Sequence, residues 1–125
     1  MKVLTIFAAV FLISHGLIHL LGTSAYLKLA EIKELPYKTT VLNGRWDLGA
    51  DGIAVYGALW AVATVGFVVA ATALTAGWSW RQPVLFGVTL FSLVLTALDL
   101  EVAFAGAIIN IFILAVVLVW PRIAN

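Results

Sequence analysis

The chain has 125 residues, 64% of them hydrophobic, with seven basic and six acidic residues and a net charge of +1. Soluble domains are usually about 25% charged, so a mean hydropathy of +1.14 marks a membrane protein, and the near-zero charge argues against nucleic acid as a partner. The absence of cysteine excludes disulfides, thiolate metal sites, iron–sulfur clusters and thiol redox chemistry.

The first element is the apolar run Val3–Gly22. Lys2 before it and Thr23-Ser24-Ala25 after it imitate a signal peptide, but the run exceeds a typical h-region and is expected to stay as a membrane span. Inside it, the stretch ISHGLIHLLG puts His15 and His19 one helical turn apart. A histidine in hydrocarbon is costly unless paired, so two on one face must meet partners. Thr5, Ala8, Leu12, His15, His19 and Gly22 form a single stripe at helical spacing.

Residues 23–46 form the one long connection. Within it, 25–35 has enough helical character for a short interfacial helix ended by Pro36, or equally for a solvated extension of the first span.

The second uncharged stretch is Gly52–Trp80, of which about 25 residues could cross a bilayer with some tilt. Its expected inward stripe is Asp47, Asp51, Ala54, Ala58 and Ala61, because small residues let helix backbones approach. The third stretch, Gln82–Leu98, opens with Pro83, a favoured first-turn residue, and carries the polar stripe Thr89, Ser92, Thr96, Asp99. The fourth, Val102–Trp120, is stopped by Pro121 and carries Ala103, Gly106 and Asn110 on one face. The tight join at Asp99-Leu100-Glu101 makes spans three and four an antiparallel hairpin. Trp46, Trp78, Trp80 and Trp120 fall near span ends, as interfacial belts do, whereas Trp60 lies mid-span and reads as packing. The fold expected is all-α, one four-transmembrane-helix bundle with spans near 3–22, 50–75, 83–99 and 103–120, and no β-sheet.

Four spans put the N-terminus, the 76–82 turn and the C-terminus on one side, with Lys2, Arg81 and Arg122 and no acid. The other side holds Lys28, Lys33, Lys38 and Arg45 together with all six acids. Counting bases alone narrowly favours the reverse orientation, but those four are offset locally by acids, and Lys2 precedes the usually dominant first helix. The expectation is N-in and C-in, in a bacterial inner membrane.

Depth then brings the polar residues together. At ~1.5 Å per residue, His19 lies about one turn and His15 about two turns below the outer surface. Asp51 and Asp99 sit at the outer ends of spans two and three, and Asn110 near the level of His15. The sequence therefore predicts an intramembrane cluster of His15, His19, Asp51, Asp99, Asn110, Ser92 and Thr96, in which at least one histidine reaches a carboxylate or Asn110 of another span, with Asp51 and Asp99 as leading partners. A His–Asp pair with hydroxyl donors nearby would satisfy both groups.

Three chemistries fit such a cluster. It can be internal glue that fixes helix register. It can be a metal site, with His15, His19, Asp51 and Asp99 as ligands to zinc, iron or copper. It is not a zincin motif, because Gly16 stands where the glutamate base belongs. It can also be a proton or ligand relay, such as a quinone head-group site. Two histidines four apart cannot clamp one haem iron from opposite faces, although one could be a single axial ligand to a tetrapyrrole. No nucleophile elbow, P-loop or dinucleotide fingerprint occurs.

Four segments together carry a resemblance: His15-Gly16-Leu17-Ile18-His19-Leu20-Leu21-Gly22, Asn43-Gly44-Arg45-Trp46-Asp47-Leu48-Gly49, Gly57-Ala58-Leu59-Trp60, and Gly106 followed by Asn110. The ordered set resembles a family of small bacterial four-span membrane proteins, some of which carry a transporter-permease label. The resemblance implies the four-span fold and no particular activity, so it assigns no catalytic residue. It lends the label little weight, since no ATPase-coupling helix is recognisable. On architecture alone the chain is also similar to four-helix membrane proteins linked to quinone-dependent oxidation.

The aqueous segments are too short to host an active-site domain. The expected role is a small non-catalytic subunit, not an enzyme, whose partners are the lipid bilayer and other membrane subunits or further copies of itself. A binder of a metal ion, quinone or tetrapyrrole is the second expectation and a small transporter the third.

Overall fold

The computed structural model describes residues 2–124, with side chains described through Trp120. Four helices dominate it: α1 (Lys2–Tyr26), α2 (Gly49–Ala76), α3 (Arg81–Leu98) and α4 (Leu100–Ala124). Each is long and apolar enough to cross a membrane. The chain is all-α apart from one small ribbon, in which β1 (Thr40–Val41) pairs antiparallel with β2 (Trp46–Asp47).

Helix ends follow local chemistry. Gly77 closes α2 in the left-handed region at φ 71°, and the N–H groups of Gly77 and Trp78 return to the Leu74 and Ala73 carbonyls. This is the double bond pattern that spends a helix's orphan carbonyls. Arg81 adds a bond from Nη1 to the Trp78 carbonyl at 2.8 Å. Pro83 lies in the first turn of α3. A single residue, Asp99, separates α3 from α4, and its carbonyl accepts from the N–H groups of Val102 and Ala103. Ala103 is non-helical, so α4 opens with a separate turn and kinks where the sequence places the start of span four.

The segment 25–35 does not form an interfacial helix. The end of α1 repeats the pattern of α2, with Lys28 in the left-handed position at φ 58° and the Lys28 and Leu29 N–H groups bonded to the Ala25 and Ser24 carbonyls. The chain therefore turns back at Lys28, and Ile32 and Leu35 pack onto the core instead of lying along a bilayer surface. The expected absence of β-structure is likewise corrected. The ribbon forms because Val41, 1% exposed, is drawn into the core, and the Leu42 N–H donates to the Leu98 carbonyl at 2.7 Å.

The tightest seam joins α1 and α2. A Cβ on Gly16 would lie 2.8 Å from Cβ of Phe67, one on Gly22 2.8 Å from Cδ2 of Trp60, and one on Gly57 2.9 Å from Cβ of Tyr26. At that separation hydroxyls reach across to main chain. Thr64 Oγ1 donates to the Gly16 carbonyl at 2.6 Å and Thr23 Oγ1 to the Gly57 carbonyl at 2.8 Å. The inward face of α2 differs from the expected stripe. Ile53, Tyr56, Trp60, Ala63, Phe67 and Ala70 are buried, whereas Asp51 and Ala58 are exposed. The physical reason is complementarity. At the closest points a glycine of one helix faces a ring of the other: Gly16 and Gly22 of α1 meet Phe67 and Trp60 of α2, and Gly57 of α2 meets Tyr26 of α1.

Two apolar clusters result. One, at the end bearing the long connection (the loop end), holds Tyr26, Val41, Ile53, Tyr56, Trp60 and Leu95. The other, at the opposite end, holds Ala9, Leu12, Phe67, Ala71, Ile113 and Val117. Between them lies a polar layer.

Candidate functional site

The polar layer is built from α1, α3 and α4. His15 and His19 are 5% and 2% exposed, Ser92, Thr89 and Asn110 are 0% exposed, and Thr96 is 1% exposed. Helical period puts the two histidines over one another, their rings edge to face with centroids 4.9 Å apart. The same period turns the stripe of α3 and Asn110 of α4 toward them.

The hydrogen bonds form a directed loop. His19 Nδ1–H donates to the His15 carbonyl at 2.8 Å, which leaves Nε2 as the acceptor. The Ser92 hydroxyl donates to that nitrogen at 2.5 Å. Ser92 Oγ in turn accepts from Asn110 Nδ2 at 2.9 Å, and Thr96 Oγ1 accepts from the same nitrogen at 3.3 Å. Asn110 Oδ1 accepts from His15 Nε2–H at 2.9 Å. Three helices are thus joined through neutral groups, each donor matched to an acceptor. Thr96 spends its own hydroxyl proton on the Ser92 and Leu93 carbonyls, and Thr89 on that of Leu85.

The expected histidine–carboxylate pairs are not formed. Asp51 is exposed at the start of α2, on the side turned away from the histidines. Asp99 is 1% exposed but belongs to a second cluster at the loop end. There the Tyr26 hydroxyl donates to Asp99 Oδ2, and Lys38 Nζ donates to Asp99 Oδ1 at 2.6 Å and to Glu101 Oε1 at 2.9 Å. Burial works against the charge on Lys38, but the bonds to Asp99 and Glu101 outweigh it and raise its pKa above the usual lysine value. His15, His19, Asp51 and Asp99 therefore do not converge as a ligand set. Among the described residues no three His, Cys, Asp or Glu side chains come together to hold a metal ion.

Lys38 and Tyr26 escaped the sequence reading. A signal existed for the lysine: a buried carboxylate at a helix turn needs a cation, and four basic residues lie on the long connection. Choosing among them required the path of that connection. Tyr26 lies seven residues beyond His19 on the same helix and gave no sign of its partner.

Aromatic rings link the two clusters. Trp60 packs on His19 with centroids 5.1 Å apart, Tyr56 on Trp60 at 5.9 Å, and Tyr26 on Tyr56 at 5.6 Å. The Tyr56 hydroxyl donates to the Leu95 carbonyl at 2.5 Å. Trp60 Nε1 is the one fully buried side-chain polar atom without a hydrogen-bond partner among the described residues.

Asp47 serves the start of α2, where its Oδ1 accepts the Gly49 N–H at 2.9 Å. That bond, with a further one from Thr39, lowers its pKa below the usual carboxylate value.

Comparison of the chain with protein-family models, with curated proteins and with solved structures finds no match in any of the three, so the functional reading rests on this geometry.

Proposed function

We propose that this chain is a four-span integral membrane protein of the bacterial plasma membrane, with both termini cytoplasmic, serving as a small non-catalytic subunit of a larger membrane complex or homo-oligomer. The observation that carries this reading is the directed loop through His15, Asn110, Ser92 and His19. Each of its N–H and O–H donors is spent on another member, as befits residues that lock helix register rather than process a substrate. The long connection supports the same reading, because it is committed to the bundle: Val41, Ile32 and Leu35 pack into the core and Lys38 pairs with Asp99.

One observation favours a second reading. His15 donates from Nε2 to Asn110, so Nδ1 keeps its lone pair. An imidazole whose other nitrogen is fixed by an amide oxygen is a suitable single ligand for a metal ion or a tetrapyrrole metal.

Elemental analysis and absorption spectroscopy of protein purified from its membrane separate the two. The subunit reading expects neither stoichiometric metal nor a chromophore, and expects His15→Ala to lower thermal stability in detergent. Metal or pigment near one per chain, lost in His15→Ala, would overturn it. Crosslinking in the native membrane tests the assembly: species larger than the 13.4 kDa chain are expected, and a chain that stays alone at native abundance contradicts the subunit role.

A further inference from the structure

The hairpin tip Leu42–Arg45 leans over the turn between α3 and α4. Leu42, Asn43 and Gly44 all lie in the left-handed region, at φ 55°, 60° and 86°. For a leucine this conformation is unfavourable and persists because the surroundings impose it. The Leu42 N–H to Leu98 carbonyl bond and the Lys38 pair with Asp99 and Glu101 supply that constraint. Beneath the tip is an open cleft of about 650 Å³. Its walls are Leu42, Ala97, Leu100 and Phe104, and its polar rim is Asn43, Arg45 and Glu101.

The rim is not electrically balanced. Glu101 is already bonded to Lys38 at 2.9 Å. The Arg45 guanidinium and the Asn43 amide are exposed and have no hydrogen-bond or ion-pair partner among the described residues. Lys28, by contrast, lies over the Tyr37 ring, 4.4 Å from its centroid. The cleft therefore offers one free guanidinium fork and one free amide donor above an apolar wall.

That wall is itself uncovered: Leu42, Leu100 and Phe104 are 43%, 46% and 60% exposed. One turn further along, Val94 on α3 and Ile108 on α4 are 53% and 51% exposed. A charged fork at the end of two apolar helices, with an apolar surface leading away from it, matches an amphiphile whose head is a phosphate and whose tail is hydrocarbon. Guanidinium geometry suits two phosphate oxygens at once. The neighbouring Trp46, 53% exposed, fits the level at which lipid head groups meet water.

We propose that the cleft between the Leu42–Arg45 tip and the α3–α4 turn binds the phosphate head group of a membrane phospholipid, with Arg45 and Asn43 as its ligands and Leu100 and Phe104 against its acyl chain. This site rests on the membrane-spanning part of the proposed function and is independent of the subunit role.

The test uses purified full-length protein in detergent micelles, with bound lipid counted by native mass spectrometry. The probes are phosphatidylglycerol, diacylglycerol (the same tails without phosphate) and inorganic phosphate. Phosphatidylglycerol is expected to bind the unaltered chain, and Arg45→Ala to weaken it about tenfold through loss of a charge-assisted contact, with thermal stability unchanged. Ala97→Trp, which fills the cleft and leaves Arg45 in place, is expected to weaken binding as well. The site is refuted if Arg45→Ala binds as tightly, or if diacylglycerol binds as well as phosphatidylglycerol. Displacement of the lipid by an equal concentration of inorganic phosphate would refute a lipid site in favour of a free-anion site. Partitioning into vesicles of phosphatidylglycerol and phosphatidylcholine separates the two levels of failure. A chain that does not partition sinks the membrane reading and this site with it; one that partitions but binds lipid regardless of Arg45 sinks the site alone.

Discussion

His19 and Tyr26 lie two turns apart on one helix and meet polar partners in opposite ways. His19 belongs to a neutral circuit, in which an imidazole, a hydroxyl, an amide and a main-chain carbonyl satisfy one another. Tyr26 belongs to a charged one, in which Asp99 holds both a phenol and the Lys38 ammonium. The difference follows depth. Near the middle of the bundle an ion would have to be desolvated on every side, so neutral groups do the joining. At the loop end Lys38 keeps 21% of its side chain exposed and Glu101 keeps 40%, so part of the hydration survives and an ion triad is tolerable.

The charged cluster gives the sharpest way to break this comparison. Asp99→Ala strips Lys38 of its nearer partner and leaves the Tyr26 hydroxyl buried without an acceptor. Removing one member of a buried pair costs about 3–5 kcal/mol, and the surviving Lys38–Glu101 contact places this case near about 3 kcal/mol. Unfolding titrations in mixed micelles measure it. A loss below about 1 kcal/mol, the value of an exposed pair, would show that the cluster is not buried in the working protein.

Next in size is the neutral circuit. Asn110→Leu keeps the volume but removes the acceptor of His15 Nε2–H and the donor to Ser92. An unsatisfied buried donor costs about 1–3 kcal/mol, so a loss of about 2 kcal/mol is expected. If Asn110→Leu proves stabilising, as replacement of a polar group by an apolar one sometimes is, the circuit serves something other than helix register.

The ion cluster also has a signature at alkaline pH. Lys38 has a folded-state pKa raised above its ordinary 10.5. Its contribution is therefore fully present below that value and is lost as pH rises through the folded pKa. The stability gap between the unaltered chain and Lys38→Met should stay constant from neutral pH to about pH 10 and narrow only above it. Narrowing already between pH 7 and 9 would contradict the pairing.

Much of this architecture was readable from residue order. Hydropathy locates all four helices, because each carries a long run of apolar residues. The stripe Thr89, Ser92, Thr96 and Asp99 is entirely buried, since a polar side chain in an apolar helix has nowhere else to be satisfied. His15 meets Asn110 of α4, as its depth predicts, but the carboxylate partners expected for the histidines are not formed. Asp99 lies level with Tyr26, and seven residues of helix, about 10 Å, separate that level from His19. Formal charge made Asp51 and Asp99 look like the natural partners of the histidines, yet the neutral Asn110 and Ser92 stand at the right depth. The face of α2 was misread for a related reason: small residues mark a close seam without saying which helix carries them. The long connection was misread because a left-handed Lys28 has no local sequence signature, whereas Gly77 in the same role does.

The smallest effect expected is at Ser92, and it tests the direction of the circuit rather than its strength. Ser92→Ala removes the proton given to His19 Nε2 and the oxygen that accepts from Asn110 Nδ2, but Asn110 retains Thr96 Oγ1 at 3.3 Å. A net loss of about 1 kcal/mol is expected, the usual value of one hydrogen bond. The tautomer should not change. His19 Nδ1–H is held by the His15 carbonyl at 2.8 Å, inside one turn of the same helix, and that bond survives the substitution. Nitrogen-15 shifts of labelled histidine should therefore show a neutral His19 protonated at Nδ1 and a neutral His15 protonated at Nε2. In Ser92→Ala only the bare Nε2 of His19 should move, as it loses its donor. A His19 found protonated at both nitrogens would mean that Ser92 accepts rather than donates. The middle of the bundle would then hold a charge, and the contrast with the loop end would vanish.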